Sequence, residues 1–456
     1  MRLWAILTSA ALFLAGSVAA PLRGASGAEG DPTAVVALID TGINPYHVVF
    51  RDDSMRARRH PSTYIPGFPK DARALHISLH EKDYETAVRK DCKLWQSVER
   101  GKLYWFPGTK IVGGITFESG DIICESAMNS NGHIIDGFGH GTMVASRAAA
   151  NGYGACPECR IVAVQGLTDG VEWAANNSEW IDAQSNSWGP ILPLWAPADD
   201  GLILFNHPQF VRTVEAAARK HLSFWASGNG VATRGGVLGH PTIVDPRMTP
   251  SIVMVGGHDS GYINTWPDFP PHVVADSCDS WAAPRHRING SREDLGSGTS
   301  AASPWAAGAA ARMLLEARRL LGDSNTGITK GVAARGNAEI AGGPLADGRF
   351  TLEEWKEVLF KTATSRPRGQ KHDGRVCGLV EGLLLFSSTP VRWEQIPEGY
   401  PEFLHIGYGA TDDVSMDLAS DVLSGKANLP DRSRTDAYFE IDESVRTALH
   451  GVFRGL

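Results

Sequence analysis

Short, unbroken apolar runs alternate with helical patterns along most of the 456-residue chain. Ala34 to Ile39 is apolar at every position and ends at Asp40-Thr41-Gly42, which predicts a strand buried on both faces. His140 to Ala150 is rich in alanine and predicts a helix, with Arg160 to Leu167 as the next strand. Val171 to Trp180 predicts another helix, followed by a strand ending near Ser187-Trp188-Gly189. Phe210 to Lys220 predicts a helix that leads into the strand Leu222 to Ala226. Ser251 to Val255 is one more strand, and Ala301 to Leu321 is a long helix. Strands without polar alternation, interleaved with helices, belong to a parallel sheet covered on both sides. The expected class is therefore α/β, a doubly wound and mostly parallel sheet. Polar groups that do chemistry in such a sheet lie in loops at the carboxyl ends of the strands.

The N-terminus follows a different pattern. Arg2 precedes an apolar stretch from Leu3 to Gly16, and Ser17-Val18-Ala19-Ala20 offers small residues for cleavage after Ala19 or Ala20. This is the layout of a signal peptide over residues 1–20. An uncleaved anchor is the competing reading, and the Pro/Gly-rich segment that follows favours cleavage. No later stretch has the length and apolarity to span a bilayer. The mature chain is thus expected to be exported: secreted, periplasmic or at the cell surface. With 51 acidic against 43 basic residues and a formal charge of −8, it lacks the basic footprint of a nucleic-acid binder. Six cysteines, an even number, suit an oxidising compartment. Cys156-Pro157-Glu158-Cys159 has no second C-x-x-C to complete a zinc site and opens no thioredoxin-like helix, so it reads as a loop disulfide. Cys92 with Cys124 and Cys278 with Cys377 are the expected remaining pairs.

Four short motifs stand at strand or helix ends: Asp40 in Ile39-Asp40-Thr41-Gly42, His140 in Gly139-His140-Gly141-Thr142, Asn229 in Ser227-Gly228-Asn229-Gly230, and Ser300 in Gly298-Thr299-Ser300-Ala301-Ala302-Ser303-Pro304. Each has an ordinary reading alone: a turn, a structural histidine, a loop and a helix cap. Together they fall where a doubly wound sheet would gather them at one edge. The chain order Asp, His, Ser differs from that of chymotrypsin-like enzymes and from that of α/β-hydrolases. Ala302 stands where a Gly-x-Ser-x-Gly elbow would need glycine, which removes the main support for a lipase or esterase.

The order and the motifs resemble the subtilisin family of serine proteases, the subtilases. His140-Gly141-Thr142-Met143-Val144-Ala145 resembles the family's histidine-bearing helix start, and Gly298 to Pro304 with Gly308 resembles its serine signature. Asn186-Ser187-Trp188-Gly189 is similar to its cleft-bordering strand, Leu352 to Leu359 to its late helix, and Ile406-Gly407-Tyr408-Gly409-Ala410 to its closing segment. The resemblance runs discontinuously from about Ala34 to about Leu423. It implies a subtilisin-like fold and a serine endopeptidase with a polypeptide substrate. Ser300 would be the nucleophile, His140 its general base and acid, and Asp40 the group that orients His140. The Asn229 amide and the Ser300 backbone N–H would stabilise the oxyanion. Ser187, Trp188 and Gly189 would form one wall of the cleft, and Ala226, Ser227 and Gly228 the other. No cofactor is required. Calcium stabilises many family members, but no loop here matches well enough to assign ligands. A monomer without a membrane span after signal removal is expected.

Two features depart from compact subtilases. Asp40 and His140 are 100 positions apart, and the excess, about 46–131, reads as a disulfide-pinned surface insertion or a specificity element. Within it, His76 and His80 have the spacing of metal ligands on a helix and precede Glu81, but no catalytic motif accompanies them. Further insertions are expected around Gly322 to Arg349 and Ser365 to Tyr400. The second departure is the short distance from the signal to the first strand, which leaves no room for an N-terminal prodomain. The expected organisation is a signal at 1–20, a peptidase domain at 31–425 and a tail at 426–456.

Overall fold

Six consecutive buried residues, Val35–Asp40, form the central strand β1. It pairs in parallel with Arg160–Gln165 (β5), Asp40 lying opposite Gln165, and with Ala183–Asn186 (β6), Ile39 lying opposite Asn186. Beyond β6 the sheet continues through Leu222–Ala226 (β7), Ile252–Gly257 (β8) and Val273–Ala275 (β9). Beyond β5 it continues through Ile111–Thr116 (β4), Tyr104–Trp105 (β3) and Arg73–Ala74 (β2). The order is β2-β3-β4-β5-β1-β6-β7-β8-β9, and every pairing is parallel except that of β3 with β4. The doubly wound α/β class expected from the apolar runs is the observed one. The computed structural model describes residues 31–120, 133–188, 221–227, 251–257, 271–277, 280–281, 287–288, 295–296, 298–323, 332–333, 343–365, 403–405, 408–433 and 438–440.

The continuous apolarity of β1 has a direct cause, because two different cores need its two faces. Val36 and Leu38 join a core shared with His140–Ala149 (α3) and Thr299–Leu321 (α5). Val35, Ala37 and Ile39 join a second core with Leu167–Asn176 (α4). α4 begins four residues before the expected start at Val171. Gly170 hid that first turn, since glycine weakens a helical pattern. Here it is needed for contact: a Cβ on Gly170 would lie 2.8 Å from a Val164 methyl. The helix expected at 210–220 lies outside the described residues, as does the expected signal peptide. No described helix is long and apolar enough to cross a membrane.

In the segment expected at about 46–131 as a surface insertion or a specificity element, the described residues 46–120 contribute strands to the sheet. They supply β2, β3 and β4, the short helices Tyr84–Lys90 (α1) and Cys92–Gln96 (α2), and six buried aromatic side chains of the main core: Tyr46, Phe50, Tyr84, Trp95, Tyr104 and Phe106. Two of them are linked by their polar atoms, Trp95 Nε1 donating to Tyr46 Oη (2.7 Å) and Tyr46 Oη to Asp91 (2.9 Å). Cys92 is disulfide-bonded, while Cys124, Cys278 and Cys377 lie outside the described residues. The Cys156 and Cys159 sulfurs sit at bonding distance, 2.00 Å. In the expected tail, Tyr438–Glu440 pairs antiparallel with Phe403–His405.

Candidate active site

β1 is the point where the sheet switches direction, since β5 follows on one side of it and β6 on the other. The crevice at the carboxyl end of such a strand is where α/β sheets take ligands. Asp40 is the last residue of β1 and is 3% exposed. Its Oδ1 accepts from the Thr41 N–H at 2.8 Å and from His140 Nδ1 at 2.7 Å. With Nδ1 acting as the donor, the neutral imidazole keeps its lone pair on Nε2. The ring is still a quarter exposed, 25%. Burial pushes the His140 pKa down, but the adjacent Asp40 carboxylate outweighs it by charge and hydrogen bond. Asp136 adds to the same effect, and the pKa stands above its ordinary 6.5.

The first turn of α3 is held by a residue that motif reading missed. Asp136 Oδ1 accepts from Thr41 Oγ1 (2.9 Å), Phe138 N (3.1 Å) and Gly139 N (2.6 Å). Its Oδ2 accepts from Thr142 N (2.8 Å) and Thr142 Oγ1 (2.6 Å). A carboxylate at a helix N-terminus meets the unpaired N–H groups and the positive end of the dipole. Thr41 Oγ1 in turn accepts from Gly141 N at 2.9 Å, so the Asp40 loop and the His140 helix share one network. Their backbones touch: a Cβ on Gly141 would lie 2.1 Å from the Gly42 carbonyl oxygen, and Gly42 itself has φ +111°. The available signal was Asp136 four residues before His140, with glycines at 137 and 139 between them.

Ser300 occupies the first turn of α5, after Gly298 at φ +88°. Its hydroxyl donates to the Ser187 carbonyl at 3.2 Å, while the Ser187 hydroxyl donates to the Ser300 carbonyl at 3.0 Å. The second bond answers a defect of the helix. Pro304, four residues on, has no N–H to offer that carbonyl, and Ser187 supplies the missing donor. Further along, a Cβ on Gly308 would lie 2.4 Å from the Ala148 carbonyl oxygen, so the helices bearing His140 and Ser300 cross in close contact.

Asp40 and His140 are thus directly bonded, and Ser187 and Ser300 are directly bonded. Among the described residues no hydrogen bond joins Ser300 to His140. Ala226 and Ser227 lie at the carboxyl end of β7, where Ser227 N donates to Val255 O at 2.9 Å. Trp188 is partly buried, edge-on to Trp225 with ring centroids 5.2 Å apart. Asn229, Gly189 and Gly228 lie outside the described residues.

The model of the Subtilase family matches residues 31–364. No curated protein matches the chain. Among solved structures, the chain is similar to the protease domain of PatA, with 16% identity and a TM-score of 0.40 over 88% of this chain and 98% of that one. It is similar to the epidermin leader peptide processing serine protease of Staphylococcus aureus, with 15% identity and a TM-score of 0.41 over 88% and 79%. A cold-adapted subtilisin-like serine proteinase gives 17% and 0.32 over 66% and 78%. Matched by the family model over well more than half of its length, the chain belongs to the subtilase family and is a subtilisin-like serine peptidase.

Proposed function

We propose that the protein is an exported serine endopeptidase whose nucleophile is Ser300, with His140 as general base and acid, Asp40 orienting His140, and Asn229 in the oxyanion hole. The observation that carries the reading is the 2.7 Å bond between Asp40 Oδ1 and His140 Nδ1 at the carboxyl end of the central strand. That bond fixes the tautomer with Nε2 free to accept a proton, which a serine hydroxyl needs in order to attack at neutral pH. The Ser300 hydroxyl leaves the Ser187 carbonyl by rotation about χ1 and turns to Nε2.

In the first step the Ser300 Oγ–carbon bond forms, the hydroxyl proton passes to His140 Nε2, and the carbonyl electron pair moves onto oxygen. The Ser300 N–H and the Asn229 amide donate to that oxyanion. Collapse breaks the carbon–nitrogen bond, and the departing amine takes the proton from Nε2. Water then attacks the acyl-enzyme by the same route and restores Ser300. The extended substrate pairs with Ser187, Trp188 and Gly189 on one side and with Ala226, Ser227 and Gly228 on the other. Trp188, partly open against Trp225, offers an apolar face to a substrate side chain.

The apolar stretch Leu3 to Gly16 and the even number of cysteines support export, with a signal at 1–20, the peptidase domain at 31–425 and a tail at 426–456. Labelling with a fluorophosphonate tests the assignment. The folded wild-type protein is expected to be labelled and Ser300→Ala is not. Equal labelling of the two, or none of the wild type, would sink it.

A further inference from the structure

Residues between Arg51 and Gly108 line an open pocket of about 500 Å³, a volume in the range of small-molecule sites. It lies away from the Asp40–His140 pair. Its Arg51 is tied through its carbonyl to Asn151, just past the C-terminal end of α3, whereas His140 opens that helix. The ten-residue helix sets its two ends roughly 13 Å apart along the axis.

The pocket wall is fixed from behind. The buried Asp91 carboxylate accepts from Ser78 N (2.6 Å) and Ser78 Oγ (2.7 Å), and Arg51 donates to the Leu79 carbonyl. Both sides of the 76–81 loop are therefore pinned. Of the charged groups lining the space, Lys90 and Glu81 neutralise each other at 2.5 Å. Arg51 and Arg58 then face a single carboxylate, Asp53, beside the imidazoles of His76 and His80. Arg51 Nε is buried without an acceptor, and the side chains of Arg58, His76 and His80 are exposed. Among the described residues no three His, Cys, Asp or Glu side chains converge on a cation position. In a protein of net charge −8, this is a local surplus of donors.

We propose that the pocket is an anion-binding exosite that takes the phosphate or carboxylate groups of a polyanion between Arg51, Arg58 and the two imidazoles. Guanidinium groups suit such anions because their planar donors match paired oxygens. The proposal does not depend on which residues perform catalysis. Calorimetric titration of the full chain with inorganic pyrophosphate tests it. Arg58→Gln and His80→Gln are the informative variants, since both side chains are exposed and their replacement opens no cavity in the core. Saturable binding is expected, weakened about tenfold per removed donor, the size of one charge-assisted hydrogen bond. A hexaglutamate peptide as competitor separates acidic side chains of a polypeptide from a free small anion as the occupant. Absence of saturable binding at millimolar pyrophosphate, or equal affinity in the Arg58→Gln, His80→Gln double variant, would overturn the proposal.

Discussion

Ser187 and Ser300 clasp each other, each hydroxyl donating to the other's backbone carbonyl at 3.0 and 3.2 Å. The clasp exists because Pro304 leaves the Ser300 carbonyl without a helical donor. Ser187→Ala would strand that carbonyl and loosen the turn that presents Ser300. The expected result is a kcat lower by about fivefold with KM little changed, the cost of one hydrogen bond of ~1 kcal/mol. Steady-state kinetics on a peptide substrate, with the fluorophosphonate labelling rate in parallel, checks it. A change confined to KM would mean that Ser187 acts only on substrate.

Asp136 accepts five hydrogen bonds at the start of α3. Asp136→Asn sets an amide N–H₂ against donors and is expected to cost roughly 2–3 kcal/mol of stability. It also removes a negative charge that raises the His140 pKa. The acid limb of kcat/KM against pH should therefore move to lower pH in this variant. An unmoved limb in a folded variant would restrict Asp136 to a structural part.

Gly308→Ala places a methyl 2.4 Å from the Ala148 carbonyl oxygen, where backbone has to yield. The two helices that part are those bearing His140 and Ser300, so activity and stability are expected to fall together. Thermal unfolding should show a loss of about 1–3 kcal/mol, the usual cost of overpacking. Full activity with a wild-type melting temperature would show that the crossing absorbs the methyl.

Lys110 is buried, and its Nζ donates to the Ala149 carbonyl at 2.8 Å and to the Pro157 carbonyl. Burial, helped by the charge of Arg160, brings its pKa down from 10.5 to about 7. The neutral amine still has two N–H groups for two carbonyls. Because the folded pKa is the lower one, the unfolded chain binds the extra proton between pH 7 and 10.5. Stability relative to Lys110→Met should then rise with pH across that window and fall as pH drops towards 7. Chemical denaturation of both proteins at several pH values measures it, and a constant difference would contradict the shift.

The strands β1 and β5 were legible because each carries at least four consecutive apolar residues that serve two cores, one on each face, and β7 because only Ser223 breaks its apolar run. Strand β4 was not, because Gly113 and Gly114 interrupt it. Both glycines are packing devices: a Cβ on Gly113 would press on Val162 and one on Gly114 on Ile134 and Phe106, each at 2.9 Å. A propensity argument sees the glycine and not the neighbour that requires it. The Asp40 and His140 motifs were likewise legible from local sequence. Asp136 and the Ser187 clasp were not, since their meaning lies in contacts with Thr41, Thr142 and Ser300 from distant parts of the chain.

Strand β4 also fixes what can be trimmed from this chain. Ile43 and Ile135 are bridged at the base of the long segment, so a short link across them looks like a simple route to a compact variant. That deletion would remove β4 and strip β5 of its neighbour along a register from Ile161 to Gln165. A row of bare N–H and C=O groups would face water, an open invitation to strand exchange with another molecule. A shortened enzyme would fail by self-association rather than by losing its catalytic groups, so minimisation has to preserve residues 111–116 and seek its savings elsewhere.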